Sequence, residues 1–145
     1  IFNLFNHNAP IYQDNGYNEE EWKMVEETPK IFEGPFRVAV TCVRVPVLRA
    51  HCESINLQFK KKVTLEEVYQ VLEDAPGITI VDDRKNNKHP EPMLADGKDD
   101  ILVGRVRYDQ SMDEGYGIEM FIAGDQLLKG AALNAVQIAE LLLVE

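Results

Sequence analysis

The sequence is poor in cysteine and in positive charge, and it lacks the short motifs that announce a bound nucleotide or metal. Its two cysteines, Cys42 and Cys52, are too few for a disulfide scaffold. Both lie in strand-like apolar context, which predicts two buried thiols and a reducing compartment. Lysine and arginine number 15 against 25 acidic residues, a formal charge of −10 that argues against nucleic acid and anionic membrane as partners. A small anionic ligand remains compatible, because a few local cations override the global field. No GxGxxG or GxxxxGKS/T loop is present to cradle phosphates. CxxC and HExxH spacings are missing too, and the scattered His7, His51 and His89 do not make a zinc site. The most apolar stretch, QLLKGAALNAVQIAELLLVE, is broken by Lys129, Asn134, Gln137 and Glu140 too often for a membrane span. There are no repeats or heptads. No charged-then-apolar leader opens the chain, and residue 1 is Ile, so the chain is expected to begin inside a longer protein.

What is there reads as one ordinary domain, or a large piece of one: 145 residues, 45% apolar and 28% charged. A short strand and a long loop open the chain. NEEEWKMVEETPKIF follows as a helix, capped by Asn18 with Glu21 three residues on, and Pro29 is expected to end or kink it near Thr28. FRVAVTCV alternates strictly as a strand, with Phe36, Val38, Val40 and Cys42 on one face. INLQF alternates as well, with Ile55, Leu57 and Phe59 inward. TLEEVYQVLEDAPG is a second helix with Thr64 as cap, Glu67 completing the box, and Val68, Leu72 and Ala75 as the buried stripe. ITIVDD is a strand. RKNNKHPEPMLADGKDD is a polar loop long enough to bind something or cover an interface, or to be a plain surface excursion. ILVGRVRYD and GIEMFIAGD are two more strands, and the tail is a helix that is apolar nearly all round and calls for burial on every side. This order predicts an α+β domain with a mixed, largely antiparallel sheet and helices packed on one face.

The chemistry-bearing stretch is CVRVPVLRAHCESINLQF, residues 42–59. It reads as two strands joined across PVLRA, with Arg44 in the tail of the first and His51 at the head of the second. Pairing those strands would bring both to one end of a hairpin. Strand parity sets Arg44 beside apolar neighbours, where a guanidinium needs either an internal carboxylate such as Glu53 or a bound anion. His51 by itself is more often a structural residue than a catalyst. Glu20 and Lys23 lie three apart on one helix face, as an exposed ion pair or as part of a site near an anion-favouring N-terminus. Taken together, the two clusters suit a zwitterionic, phosphorylated substrate.

FNLFNHNAPIYQDNGYNEEEWKMVEET, TCVRVPVLRAHCESINLQF, GITIVDDR, VGRVRYD and GDQLLKGAALNAVQIAELL resemble, in order, the C-terminal half of the aspartate-β-semialdehyde dehydrogenase family, above all its plant-like and Gram-positive-like forms. The resemblance covers essentially the whole chain. It implies a fold like the C-terminal domain of glyceraldehyde-3-phosphate dehydrogenase. Residues 1–145 would then be a substrate-binding and dimerisation domain, whose last helix, about 125–145, packs on an N-terminal nucleotide-binding domain outside this chain. It also implies NADP-dependent reductive dephosphorylation of aspartyl phosphate to aspartate semialdehyde, in lysine, threonine and methionine biosynthesis. In that family a cysteine of the preceding domain is the nucleophile.

Carried over by resemblance, His51 is the general acid–base and Arg44 the clamp on the substrate carboxylate. Glu20 holds the substrate ammonium, Lys23 the phosphate, and Gln126 touches the nicotinamide end of NADP. Cys42 and Cys52 match positions inside the sheet and are not the nucleophile. The family further implies a homodimer in the cytoplasm, or in a plastid for a plant or alga. It implies a chain that does not turn over alone, with NADP held mainly by the other domain. Two other readings stand beside this one: a catalytically silent homodimerisation module of the same fold, and the related acyl-phosphate reductase of arginine synthesis.

Overall fold

The computed structural model describes residues 2–143, which fall into two compact units, residues 2–46 and 47–143. The ends of the first predicted strand and of the tail helix, at Ile1, Val144 and Glu145, lie outside the described residues.

In the first unit, strand β1 (Phe5–Asn6) pairs antiparallel with β2 (Val43–Arg44), and helix α1 (Glu19–Ile31) lies between them in sequence. The capping box forms as the sequence predicts. Asn18 Oδ1 accepts from Glu21 N at 2.9 Å, and Glu21 Oε2 accepts from Asn18 N at 3.0 Å. Pro29 does not end the helix at Thr28; α1 continues to Ile31. Its position explains the tolerance, because a proline in the last turn removes a single ladder bond, and Thr28 still accepts from Phe32 N at 3.1 Å. The predicted strand over FRVAVTCV is also corrected: residues 35–42 are not a strand. The alternation survives in burial from residue 37 on, with Val38, Val40 and Cys42 half-buried and Arg37, Ala39 and Thr41 exposed, but Phe36, expected on the inward face, is exposed. Alternation fits a chain for a strand, but a strand also needs a ladder, and the short β1 reaches only as far as Cys42, whose carbonyl accepts from His7 N at 2.9 Å.

The second unit is built on a four-stranded sheet in the order β3-β6-β5-β4. Its strands are β3 (His51–Gln58), β4 (Ile78–Ile80), β5 (Ile101–Tyr108) and β6 (Gly117–Gly124). Only β4–β5 is parallel, so the sheet is mixed and largely antiparallel. The predicted hairpin across PVLRA does not form: Arg44 pairs with Phe5, whereas His51 opens a strand whose partner is β6. Helix α2 (Leu65–Asp74) carries the predicted Thr64–Glu67 box and lays Leu65, Val68 and Leu72 on Val103, Val106, Ile118 and Met120. Of the inward residues predicted for INLQF, Ile55 in β3 and Phe59 just past its end join that core, but Leu57 is exposed.

The polar loop 84–100 is not a plain excursion. It carries the four-residue helix α3 (Pro92–Ala95), and Ala95 is fully buried against Ala50, Leu102 and Ala123 on the other side of the sheet. Gly104 makes this packing possible, since a Cβ there would meet Val81 O and Pro90 Cδ. Beyond Gly104 the β5–β6 register shifts and Arg105 takes a positive φ of 54°; Asp82 accepts the Val106 N–H that follows, at 2.9 Å. The tail begins as a π-helical turn, Leu128–Ala132, and becomes α4 (Leu133–Leu141). Leu127, Val136, Ile138, Leu141, Leu142 and Leu143 are exposed on it, as its all-round apolar pattern predicts for an unpartnered helix. Among the described residues no helix is long and apolar enough to cross a membrane. Both cysteines are thiols, but they are not both buried: Cys42 is half-buried and Cys52 is exposed on the edge strand β3.

Candidate active site

The predicted residues fall into two groups, one in each unit. In the first unit, the capping box fixes the start of α1 and so the face that carries Glu20 and Lys23, whose Oε2 and Nζ are 3.1 Å apart. Glu21 has a second role there: its Oε1 accepts from Cys42 N at 2.9 Å and ties the helix start to the segment leading into Arg44. Pairing Phe5 with Arg44 brings His7 alongside, and Arg44 Nη2 lies 2.6 Å from His7 Nε2. The hydrogen bond from Lys23 is the main cause holding the Glu20 carboxyl below its ordinary range, with the charges of Lys23 and Arg44 adding to it. Glu20 in turn raises Lys23. Two cations, a carboxylate and an imidazole thus gather at one place. A cleft of about 530 Å³ in this unit is lined by His7, Asn18 and Glu21, and borders the group through His7 alone.

In the second unit His51 stands exposed at the head of β3, opposite Gly124. Gln126 is two residues past the end of β6, and its Oε1 accepts from the backbone N–H of Ala50 at 2.6 Å. Ala50 is buried with φ of 76°, a conformation that a Cβ-bearing residue holds only when its surroundings impose it. On the other side of Ala50, Arg49 Nη2 pairs with Asp125 Oδ2 at 2.7 Å, and Arg49 Nε lies 3.2 Å from Asp96 as a charge contact without a hydrogen bond. Asp125 is fully buried, and burial alone would push its carboxyl up. Hydrogen bonds from Gly97 N and Leu127 N, the Arg49 guanidinium and Leu128 N together bring it down to about 2. The sequence reading singled out neither Arg49, Asp125 nor His7.

The first group can hold a ligand bearing a carboxylate or phosphate next to an ammonium; the second presents a titratable ring on a braced backbone. The fold is an α+β domain built on a mixed sheet. The family model described as "Semialdehyde dehydrogenase, dimerisation domain" matches residues 2–129, and the chain belongs to that family. It is 52% identical over 143 residues to aspartate-semialdehyde dehydrogenase of Prochlorococcus marinus, covering 98% of this chain and 41% of that protein. The structure of aspartate semialdehyde dehydrogenase II of Vibrio cholerae complexed with ASA superposes with a TM-score of 0.88 at 43% identity, over 97% of this chain and 41% of that one. The enzyme of Candida albicans with NADP gives 0.73 at 26% identity, over 97% and 44%. The likeness bears out the family and the α+β class drawn from the sequence. The chain spans about two-fifths of the length of the curated relatives it matches.

Proposed function

We propose that this chain is the substrate-binding and dimerisation domain of an NADP-dependent aspartate-semialdehyde dehydrogenase, which works as a homodimer in the cytoplasm and makes aspartate semialdehyde from aspartyl phosphate. The observation that carries the reading is the gathering of Arg44, Lys23 and Glu20 in the first unit of a chain of this family. Arg44 clamps the α-carboxylate, for which a planar fork suits a planar anion. Glu20, kept ionised by its neighbours, holds the ammonium. Lys23, with its charge reinforced, holds the phosphate. His51 holds and moves the proton at the reacting carbonyl oxygen. NADP, when bound, supplies the hydride chemistry. The contact this chain has to offer it is the amide nitrogen of Gln126, whose oxygen is already engaged by Ala50. The thiol nucleophile belongs to a domain upstream, and the apolar face of α4 packs on that domain.

The test compares the full-length protein with this chain alone in phosphate- and NADP-dependent oxidation of aspartate semialdehyde. Turnover by the full-length protein and none by the chain is expected. A full-length protein without that activity overturns the reading and leaves the silent dimerisation module.

A further inference from the structure

We infer that Gln126 and the Arg49–Asp125 pair form a latch that shapes residues 49–51 and thereby aims His51, so that Gln126 is a positioning residue as well as a contact for the dinucleotide. The inference rests on the reading of His51 as acid–base, and deepens it.

His51 is exposed, and among the described residues no side-chain hydrogen bond is seen to orient its ring. Its direction is therefore inherited from the backbone before it. That backbone is unusual: Ala50 has φ of 76° with a buried Cβ, where a left-handed alanine is disfavoured. Two contacts hold the chain there, one at Ala50 itself and one at the residue before it. Gln126 Oε1 takes the Ala50 N–H at 2.6 Å, which would otherwise be a buried donor left without a partner. Arg49 is fixed to the buried Asp125 at 2.7 Å, and Asp125 is itself fixed by three backbone N–H groups. Asp125 and Gln126 are adjacent and immediately follow β6, whose last residue, Gly124, is the register partner of His51. The end of one strand thus grips the start of its neighbour at three consecutive residues. A side chain at the first residue past such a grip keeps one direction only while the grip holds. The same carboxamide can serve two partners, since its oxygen faces Ala50 and its nitrogen retains two donors.

The test uses the full-length enzyme with Gln126→Leu, which keeps length and removes the acceptor, and Gln126→Glu, which keeps an acceptor oxygen. Peptide-level hydrogen exchange over residues 47–52 is read alongside kcat and the KM for NADP. Gln126→Leu is expected to speed exchange at Ala50 and to lower kcat on the order of 10–100-fold, as a small misplacement of a catalytic group does. Gln126→Glu is expected to restore exchange protection and most of kcat. If Gln126→Leu raises only the KM for NADP and leaves exchange unchanged, the latch is refuted. If exchange rises while kcat stays put, the positioning role is refuted. His51→Gln run in parallel separates the two levels: unchanged kcat there sinks the acid–base reading itself. Should Gln126→Leu not fold, Gln126→Asn, which withdraws the oxygen by one methylene, carries the same comparison.

Discussion

Arg44 Nη2 sits 2.6 Å from His7 Nε2, across the short β1–β2 ladder. A guanidinium only donates, so Nε2 must carry the lone pair and the proton of a neutral imidazole sits on Nδ1. The 3.2 Å approach of Ala9 N–H to Nδ1 cannot then be a hydrogen bond, and the shorter, charge-assisted contact prevails. His7 therefore aims one arm of the Arg44 fork only while it is neutral. In the full-length enzyme, His7→Ala is expected to raise the KM for aspartate semialdehyde roughly tenfold, the scale of one hydrogen bond to a charged group, with little change in kcat. His7→Asn should recover part of that loss. An unchanged KM in His7→Ala would sever the link.

The two groups should separate kinetically. Arg44→Lys keeps the charge but loses the two-pronged geometry, so it should act largely through KM. His51→Gln keeps size and hydrogen bonding but cannot transfer a proton, a loss of roughly 10²–10⁴-fold that should fall on kcat. Steady-state kinetics of the two variants decide this, and equal effects on both constants from either one would count against the assignment.

Much of this was legible from residues alone, and the failures have physical causes. Capping boxes at Asn18 and Thr64 depend on neighbours in sequence, and both formed as read. The mixed sheet followed from period-two runs and short connections. The hairpin across PVLRA failed because alternation marks a strand without naming its partner: His51–Gln58 pairs with Gly117–Gly124, far along the chain. For the same reason His7 looked like a scattered histidine, since only the Phe5–Arg44 pairing places it on the clamp. Arg49 and Asp125 were hidden more deeply. An arginine beside a turn and an aspartate after a strand are ordinary in sequence, and their significance lies in a contact spanning 76 residues.

Gly104 is a backbone constraint with a measurable cost. A methyl group there would stand 2.1 Å from Val81 O and 2.7 Å from Pro90 Cδ, and the first of these is main chain that cannot rotate away. Gly104→Ala should therefore destabilise by about 2–3 kcal/mol, the upper part of the range for overpacking. Urea unfolding should show a lowered midpoint. An unshifted midpoint would mean that the loop carrying α3 can lift from the sheet without cost.

Acid should attack the same latch that aims His51. The carboxyl of Asp125 lies at about 2 in the folded protein, below its ordinary value, because the N–H donors of Gly97, Leu127 and Leu128 and the Arg49 guanidinium outweigh burial. A carboxylate depressed on folding stabilises the native state above its unfolded pKa of about 3.9, and that contribution is lost as pH falls through the folded value. The window is thus about pH 4 down to pH 2. Asp125→Asn removes the charge at every pH, leaves Arg49 without its buried partner and turns one of the acceptors into a donor facing N–H groups. The variant should be less stable than wild type at neutral pH, and the difference should narrow as pH drops through the window, because protonation does to the wild type what the substitution has already done. Thermal unfolding of both proteins from pH 7 to pH 2 reads this directly. Parallel curves, with the gap unchanged at pH 2, would show that Asp125 acts through packing alone and that its charge has no part in holding Arg49.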